Sequence, residues 1–169
     1  DVFRPGQGDF TYLKKYGLRD WRGGGRASGR ETVARVAAGA IAEKVLTGAG
    51  IEVLAYTTAI GGIEIDRDKI ISYQDLHRKV RANNLFCPDK QASTFMEVRL
   101  ENARKEGDSL GGVVEIIVHG CPAGLGDPVF DKMDADLAKA LMSVGSVKAV
   151  EIGDGIKVAD LKGSQVNDQ

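Results

Sequence analysis

The sequence predicts an α+β fold, and three observations carry that prediction. Apolar residues recur at helical spacing between Val33 and Val45. Two runs, IEVLAYTTAIGGIEI from Ile51 and VVEIIVHG from Val113, are rich in β-branched residues and short enough to be strands. Near the end, VKAVEI and IKVADL flank Gly153, Asp154 and Gly155, the kind of turn that joins a hairpin. The 169 residues suit one ordinary domain, or a piece of a larger one. Residues 1–169 are accordingly read as a single domain.

The elements follow in order. The opening stretch DVFRPGQGDFTYLKKYGLRDW mixes Pro, Gly and aromatics without helical period and reads as extended or looped. A helix then starts at Ser28, which with Glu31 three residues on forms a capping box. Its residues Val33, Val36, Ala37, Ala40, Ile41 and Val45 predict one buried stripe, and Gly48 with Gly50 predict its stop. After the strand-like run from Ile51, Ser72 with Asp75 opens a short helix over YQDLHRKVRA. Beyond NNLFCPD a third helix runs from about 92 to 105 and ends at Gly107. VVEIIVHG reads as a buried strand. A fourth helix is expected with Asp127 as N-cap and Pro128 at its first position, aligning Phe130, Met133, Leu137 and Leu141 on one face.

Composition narrows the class of function. The chain is 43% hydrophobic and 28% charged, as in a soluble globular protein, and 23 basic against 24 acidic residues leave a net charge of -1. No global charge draws it to nucleic acid or a membrane surface. Apolar runs fall short of the roughly 20 residues a spanning helix needs, and no signal peptide is visible. Cys87 and Cys121 show no metal-ligand spacing and read as thiols in a reducing compartment; no metal is expected. The chain begins at Asp1 and runs straight into a dense motif, which suggests a piece of a longer protein.

The chemistry concentrates in RGGGRASGRE, residues 22–31. Arg22, Arg26 and Arg30 crowd a helix N-terminus whose own partial charge is positive, so they need negative groups nearby. Glycines allow close backbone approach, and guanidiniums supply paired donors at any relevant pH, which together favour phosphate. The competing explanation is that these arginines pair with Asp9, Asp20 or Glu31 within the chain. The run fits neither the dinucleotide fingerprint nor the P-loop. His77 on a charged helix reads as solvated, and His119 at a strand end reads as a hydrogen-bonded structural histidine. Asp131, Asp134 and Asp136 read as the polar side of the fourth helix.

RPGQGDFTYLKKYGLRDWRGGGRASGRETVARVAAGAIA resembles the central signature of chorismate synthase, and GCPAGLGDPVFDKMDADLAKALMSVGSVKAVEIGDG resembles a second long signature of that family. NNLFCPD and EGDSLGG fall between them in the family's order. The resemblance implies a β-α-β sandwich of helices between antiparallel sheets, and a cytoplasmic homotetramer, plastidic in a plant. It implies a lyase: 5-enolpyruvylshikimate 3-phosphate loses phosphate and a proton by 1,4-elimination, giving chorismate with reduced FMN as cofactor. Carried over position by position, Arg26, Ala27 and Ser28 would contact flavin, as would Gly145 and Ser146. Arg4 and Arg30 match arginines that bind the substrate.

Two departures accompany the resemblance. The family's RPGH histidine is Gln7 here, which can donate a hydrogen bond but cannot carry a proton near neutrality. Gly8 stands for the usual alanine. Family members are also about twice as long, so this chain is expected to be the middle of the enzyme and inactive alone. Two other readings stand beside the enzyme: a noncatalytic core with a structural or oligomerisation role, and a phosphate-binding domain sharing the helix motif.

Overall fold

A computed structural model of the chain describes residues 2–70 and 72–167. Helices mix with one small antiparallel sheet, as the predicted class requires. The chain divides into two compact units, residues 2–42 with 122–167 and residues 43–121.

The first unit opens with a helix the sequence did not suggest, α1 (Asp9–Tyr16). Asp9 in its first turn and Lys14 and Lys15 in its last complement the helix dipole, and Gly17 closes it at φ 72°. About two turns of largely exposed polar and aromatic residues carry little apolar period, which is why the helix is not legible in the sequence. The arginine-rich turn forms two short 3₁₀ turns, Gly25–Ala27 and Gly29–Glu31, before α2 (Thr32–Gly48). Val33, Val36, Ile41 and Val45 lie along α2 as the spacing predicts, yet all four are 67–70% exposed, so the expected buried stripe is uncovered in this chain. Helical period reports that a face is apolar; burial requires something to lie against it.

Later in this unit two expectations fail. Asp127 does not cap a helix: its amide donates to the carbonyl of Asp131, closing a turn, and α5 (Met133–Met142) begins only after Lys132. Phe130 therefore sits outside the helix and is 87% exposed. The segments around Gly153–Gly155 form no hairpin, and residues Gly155–Asp160 instead make a 3₁₀ helix. Without a cross-strand apolar surface to pack on, turn residues alone do not pair two strands.

The second unit holds the sheet. β1 (Glu52–Ile60) turns through Gly61 and Gly62, at φ 58° and 83°, into the short β2 (Ile63–Glu64), and β3 (Gly112–His119) pairs along its other edge. β1 and β3 run antiparallel from Glu52 opposite His119 to Ile60 opposite Gly112, with an irregularity between Thr57 and Ala59. α3 (Tyr73–Val80) starts as predicted, with the Ser72 hydroxyl accepting from the Asp75 amide at 3.2 Å. α4 (Lys90–Lys105) starts two residues before the predicted position because the Asp89 carboxylate accepts from the Gln91 and Ala92 amides. Leu54 and Tyr56 from the sheet, Leu76 and Val80 from α3, and Ala92 and Met96 from α4 enclose Cys87 in one core. Each fully buried Leu or Met contributes about 1.5–3 kcal/mol. β3 is an edge strand with Val113, Val114, Ile116 and Val118 at 42–62% exposure, so it is not the buried strand expected.

Candidate functional site

All eight residues singled out by resemblance fall in the first unit. The question is which of them its geometry brings together. Arg4 and Gln7 lie in the turn before α1, where the Gln7 amide donates to the Arg4 carbonyl at 3.3 Å. The next residue, Gly8, meets the arginine-rich turn: a Cβ placed there would stand 3.3 Å from the Ala27 Cβ. The alanine usual in the resembled motif would thus press on Ala27, and glycine relieves the contact. A second contact lies at Gly24, whose φ of 74° suits glycine and whose hydrogen faces the Arg4 guanidinium; a Cβ would sit 3.0 Å from Nη2. RPGQG and GGGRAS are therefore packed on each other through two glycines. Arg4, Gln7, Arg26, Ala27 and Ser28 share one place.

The expected capping box forms only in part. The Ser28 hydroxyl accepts from the Arg30 amide at 3.3 Å, two residues on, because the first turn is 3₁₀. The Glu31 side chain instead pairs with Arg26, at 3.4 Å. Gly145 and Ser146 follow α5, Ser146 in the left-handed region at φ 72°. Just before them, Ser143 is tied to the first turns of α2, where Arg35 Nη2 donates to its carbonyl at 3.0 Å and its hydroxyl at 3.2 Å.

Three of the four arginines have partners inside the protein. Arg4 makes a two-pronged pair with Asp9, Nε to Oδ2 at 3.0 Å and Nη2 to Oδ1 at 2.7 Å. Arg22 reaches Asp20 only at 4.0 Å, and Asp20 mainly accepts from the Arg22 and Gly23 amides, which hold its carboxyl below the ordinary range. The Arg22 and Arg26 pairs are largely exposed and worth little. Internal pairing, the competing explanation for the arginine cluster, therefore accounts for Arg4 and in weak form for Arg22 and Arg26. It does not account for Arg30. Among the described residues its guanidinium forms no salt bridge, although its charge lowers the Asp20 carboxyl from a distance.

Asp9 is the group that sequence reasoning noticed only as a possible counter-ion. It is 3% exposed, accepts from Arg4 and Arg19, and its carboxyl is held at about 2, chiefly by the Arg4 hydrogen bonds working against burial. Arg19 and Gly24 were also passed over. The only signal in the sequence was the neighbouring excess of arginine over carboxylate, which does not say who pairs with whom.

The second unit has a separate open cavity of about 530 Å³, lined by Glu43, Glu52, Tyr73, His77 and His119 among others. His77 is exposed, as expected. His119 is exposed too and stacks on Tyr73 at 5.4 Å, a ring contact in place of the expected hydrogen bond. No cluster of three or more metal-ligating side chains occurs among the described residues, and no helix there is long and apolar enough to cross a membrane.

The donors assembled in the first unit suit anionic, phosphate-bearing ligands. A family model described as chorismate synthase matches residues 1–169. A chorismate synthase of Syntrophus aciditrophicus (strain SB) is 64% identical over 168 residues, covering 99% of this chain and 46% of that protein. One of Syntrophobacter fumaroxidans is 58% identical over 171 residues, with coverage of 99% and 46%. One of Methanococcoides burtonii is 50% identical over 168 residues, with coverage of 99% and 45%. A solved crystal structure of chorismate synthase superposes with a TM-score of 0.84 at 34% identity, covering 95% of this chain and 51% of the other. The chain thus spans about half the length of the curated relatives it matches.

Proposed function

Because this chain belongs to the chorismate synthase family, we propose that the protein carries the central part of a site converting 5-enolpyruvylshikimate 3-phosphate to chorismate. The reaction is a 1,4-elimination: the phosphate leaves with the electrons of its C–O bond, a ring proton is lost, and a conjugated diene forms. The observation that supports this reading is the contact of the two motifs. Gly8 on Ala27 and Gly24 on Arg4 put the substrate-type arginine beside the turn of Arg26, Ala27 and Ser28.

The residues divide the work by charge. Arg30, with no ion pair among the described residues, and Arg4, with donors beyond those engaged by Asp9, neutralise the carboxylates and departing phosphate of the substrate. The turn of Arg26, Ala27 and Ser28, at the start of α2, faces a phosphate-bearing cofactor with backbone N–H groups, and Gly145 with Ser146 add a second contact. The donor set fits FMN, since glycine at 23–25 keeps side chains out of the approach and Arg26 stays 82% exposed. When bound, reduced FMN supplies electron density as phosphate leaves and recovers it, without net redox change. The same reading makes residues 1–169 the core of one catalytic domain and the assembled protein a cytoplasmic homotetramer.

Gln7 favours a second reading. An amide at a position needing an acid or base holds the geometry without the proton, as in a noncatalytic core with a structural role. Phosphate release by the full-length protein with substrate and reduced FMN separates the two.

The test of the first reading is a titration. Charge-assisted hydrogen bonds are worth about 1.5–3 kcal/mol, so Arg30→Ala should weaken substrate binding to the FMN-loaded, full-length protein by about 10- to 100-fold. Calorimetry showing unchanged affinity would remove Arg30 from the site.

A further inference from the structure

Resting on the reading of Arg4 as a substrate-binding group, one further assignment concerns what aims it. Arg4 lies in a short turn with its side chain 39% exposed, and a long flexible side chain there would spread over many rotamers. Here it does not. Asp9, buried at 3% exposure, takes the Arg4 Nε and Nη2 on its two oxygens and the Arg4 backbone amide as well, at 3.2 Å. Arg19 holds the carboxylate through Nη1 at 3.3 Å, itself only 11% exposed, with its guanidinium 4.9 Å from the Phe3 ring centroid. Gly24 closes against the guanidinium, where a Cβ would stand 3.0 Å from Nη2, tighter than an ordinary contact.

The stoichiometry matters. A guanidinium has five N–H donors, of which Asp9 engages two; among the described residues the others meet no protein acceptor. One carboxylate between two guanidiniums also leaves the trio with a net positive charge. Asp20 adds its charge to Arg4 only from a distance and makes no ion pair with it, so the free donors of Arg4 stay open to an anion.

We propose that Asp9 is a positioning residue: held by Arg19, it locks the Arg4 guanidinium so that its remaining donors meet a carboxylate or phosphate oxygen of the substrate. Fixing those donors in advance spares the ordering entropy at binding, so loss of Asp9 shows as weaker binding even though Asp9 never touches the ligand.

A double-mutant cycle in the full-length, FMN-loaded protein tests this, with 5-enolpyruvylshikimate 3-phosphate affinity read by calorimetry. Asp9→Asn should weaken binding about tenfold when Arg4 is present and less than twofold when Arg4→Ala has removed the side chain it aims. Equal losses in both backgrounds mark Asp9 as merely structural and overturn the proposal, as does an Asp9→Asn protein that binds like wild type. If Asp9→Asn does not fold, Asp9→Glu runs the same cycle, keeping the charge but displacing the fork by one methylene, with the same expected pattern and the same overturning results. Wild type that fails to bind the substrate sinks the functional reading together with this one. Wild type that binds beside an unaffected Asp9→Asn sinks this one alone.

Discussion

At the scale of single residues, Asp9 and Gln7 show opposite relations between sequence and chemistry. Asp9 is in the chain one of three candidate counter-ions and in the structure the most tightly partnered carboxylate of its unit, because two arginines from different turns converge on it. Gln7 is conspicuous in the chain, since the motif it resembles has a histidine there, yet in the structure it is an exposed side chain whose backbone amide closes a turn onto Arg4. Its position is open, so a histidine fits without repacking. Restoring a proton carrier at such a site commonly changes rate by 10²- to 10⁴-fold. Gln7→His in the full-length protein should therefore raise single-turnover phosphate release by about that range while substrate affinity changes little. An unchanged rate would show that the side chain at this position does not limit phosphate release.

At the scale of elements, caps were more legible than faces. Ser72 with Asp75 marked the start of α3 correctly because that cap is a contact between near neighbours in the chain. The same logic misplaced α5, where the Asp127 amide is spent on Asp131 before any helix begins. Helical faces fared differently again. α2 has the most apolar composition of the helices and Val33, Val36, Ile41 and Val45 exposed along it, whereas α4, with a polar average, buries Met96 completely. Stability should follow burial and not period. Met96→Ala empties a filled site and should cost about 2–4 kcal/mol in urea unfolding, while Ile41→Ala, at a side chain 70% exposed, should stay within about 0.5 kcal/mol. A larger loss at Ile41 would show that α2 is covered in solution.

At the scale of the molecule, two units of different character share the chain. Residues 43–121 enclose a core of sheet, α3 and α4. In residues 2–42 and 122–167, Asp9 and Gly24 are the only buried residues among those described, and Val33, Val36, Val129 and Phe130 are 67–87% exposed. Apolar surface of that extent is rarely left to water. The 169-residue chain by itself should self-associate and bind a hydrophobic dye, with sedimentation coefficients rising with concentration; a dye-negative monomer would contradict the exposure of these faces.

Local patterning alone yielded the mixed class, the helix start at Ser72 and one near residue 92, the two strand runs, and the family signatures, since each depends on residues close together along the chain. Tertiary structure settled which apolar faces are covered, that Asp127 belongs to a turn, that the run after Gly153 is helical, and that Arg4 is spoken for by Asp9 while Arg30 is not. Those outcomes depend on what arrives from distant segments. Counter-ions and cover are properties of neighbours in space, and a one-dimensional pattern records only the need for them.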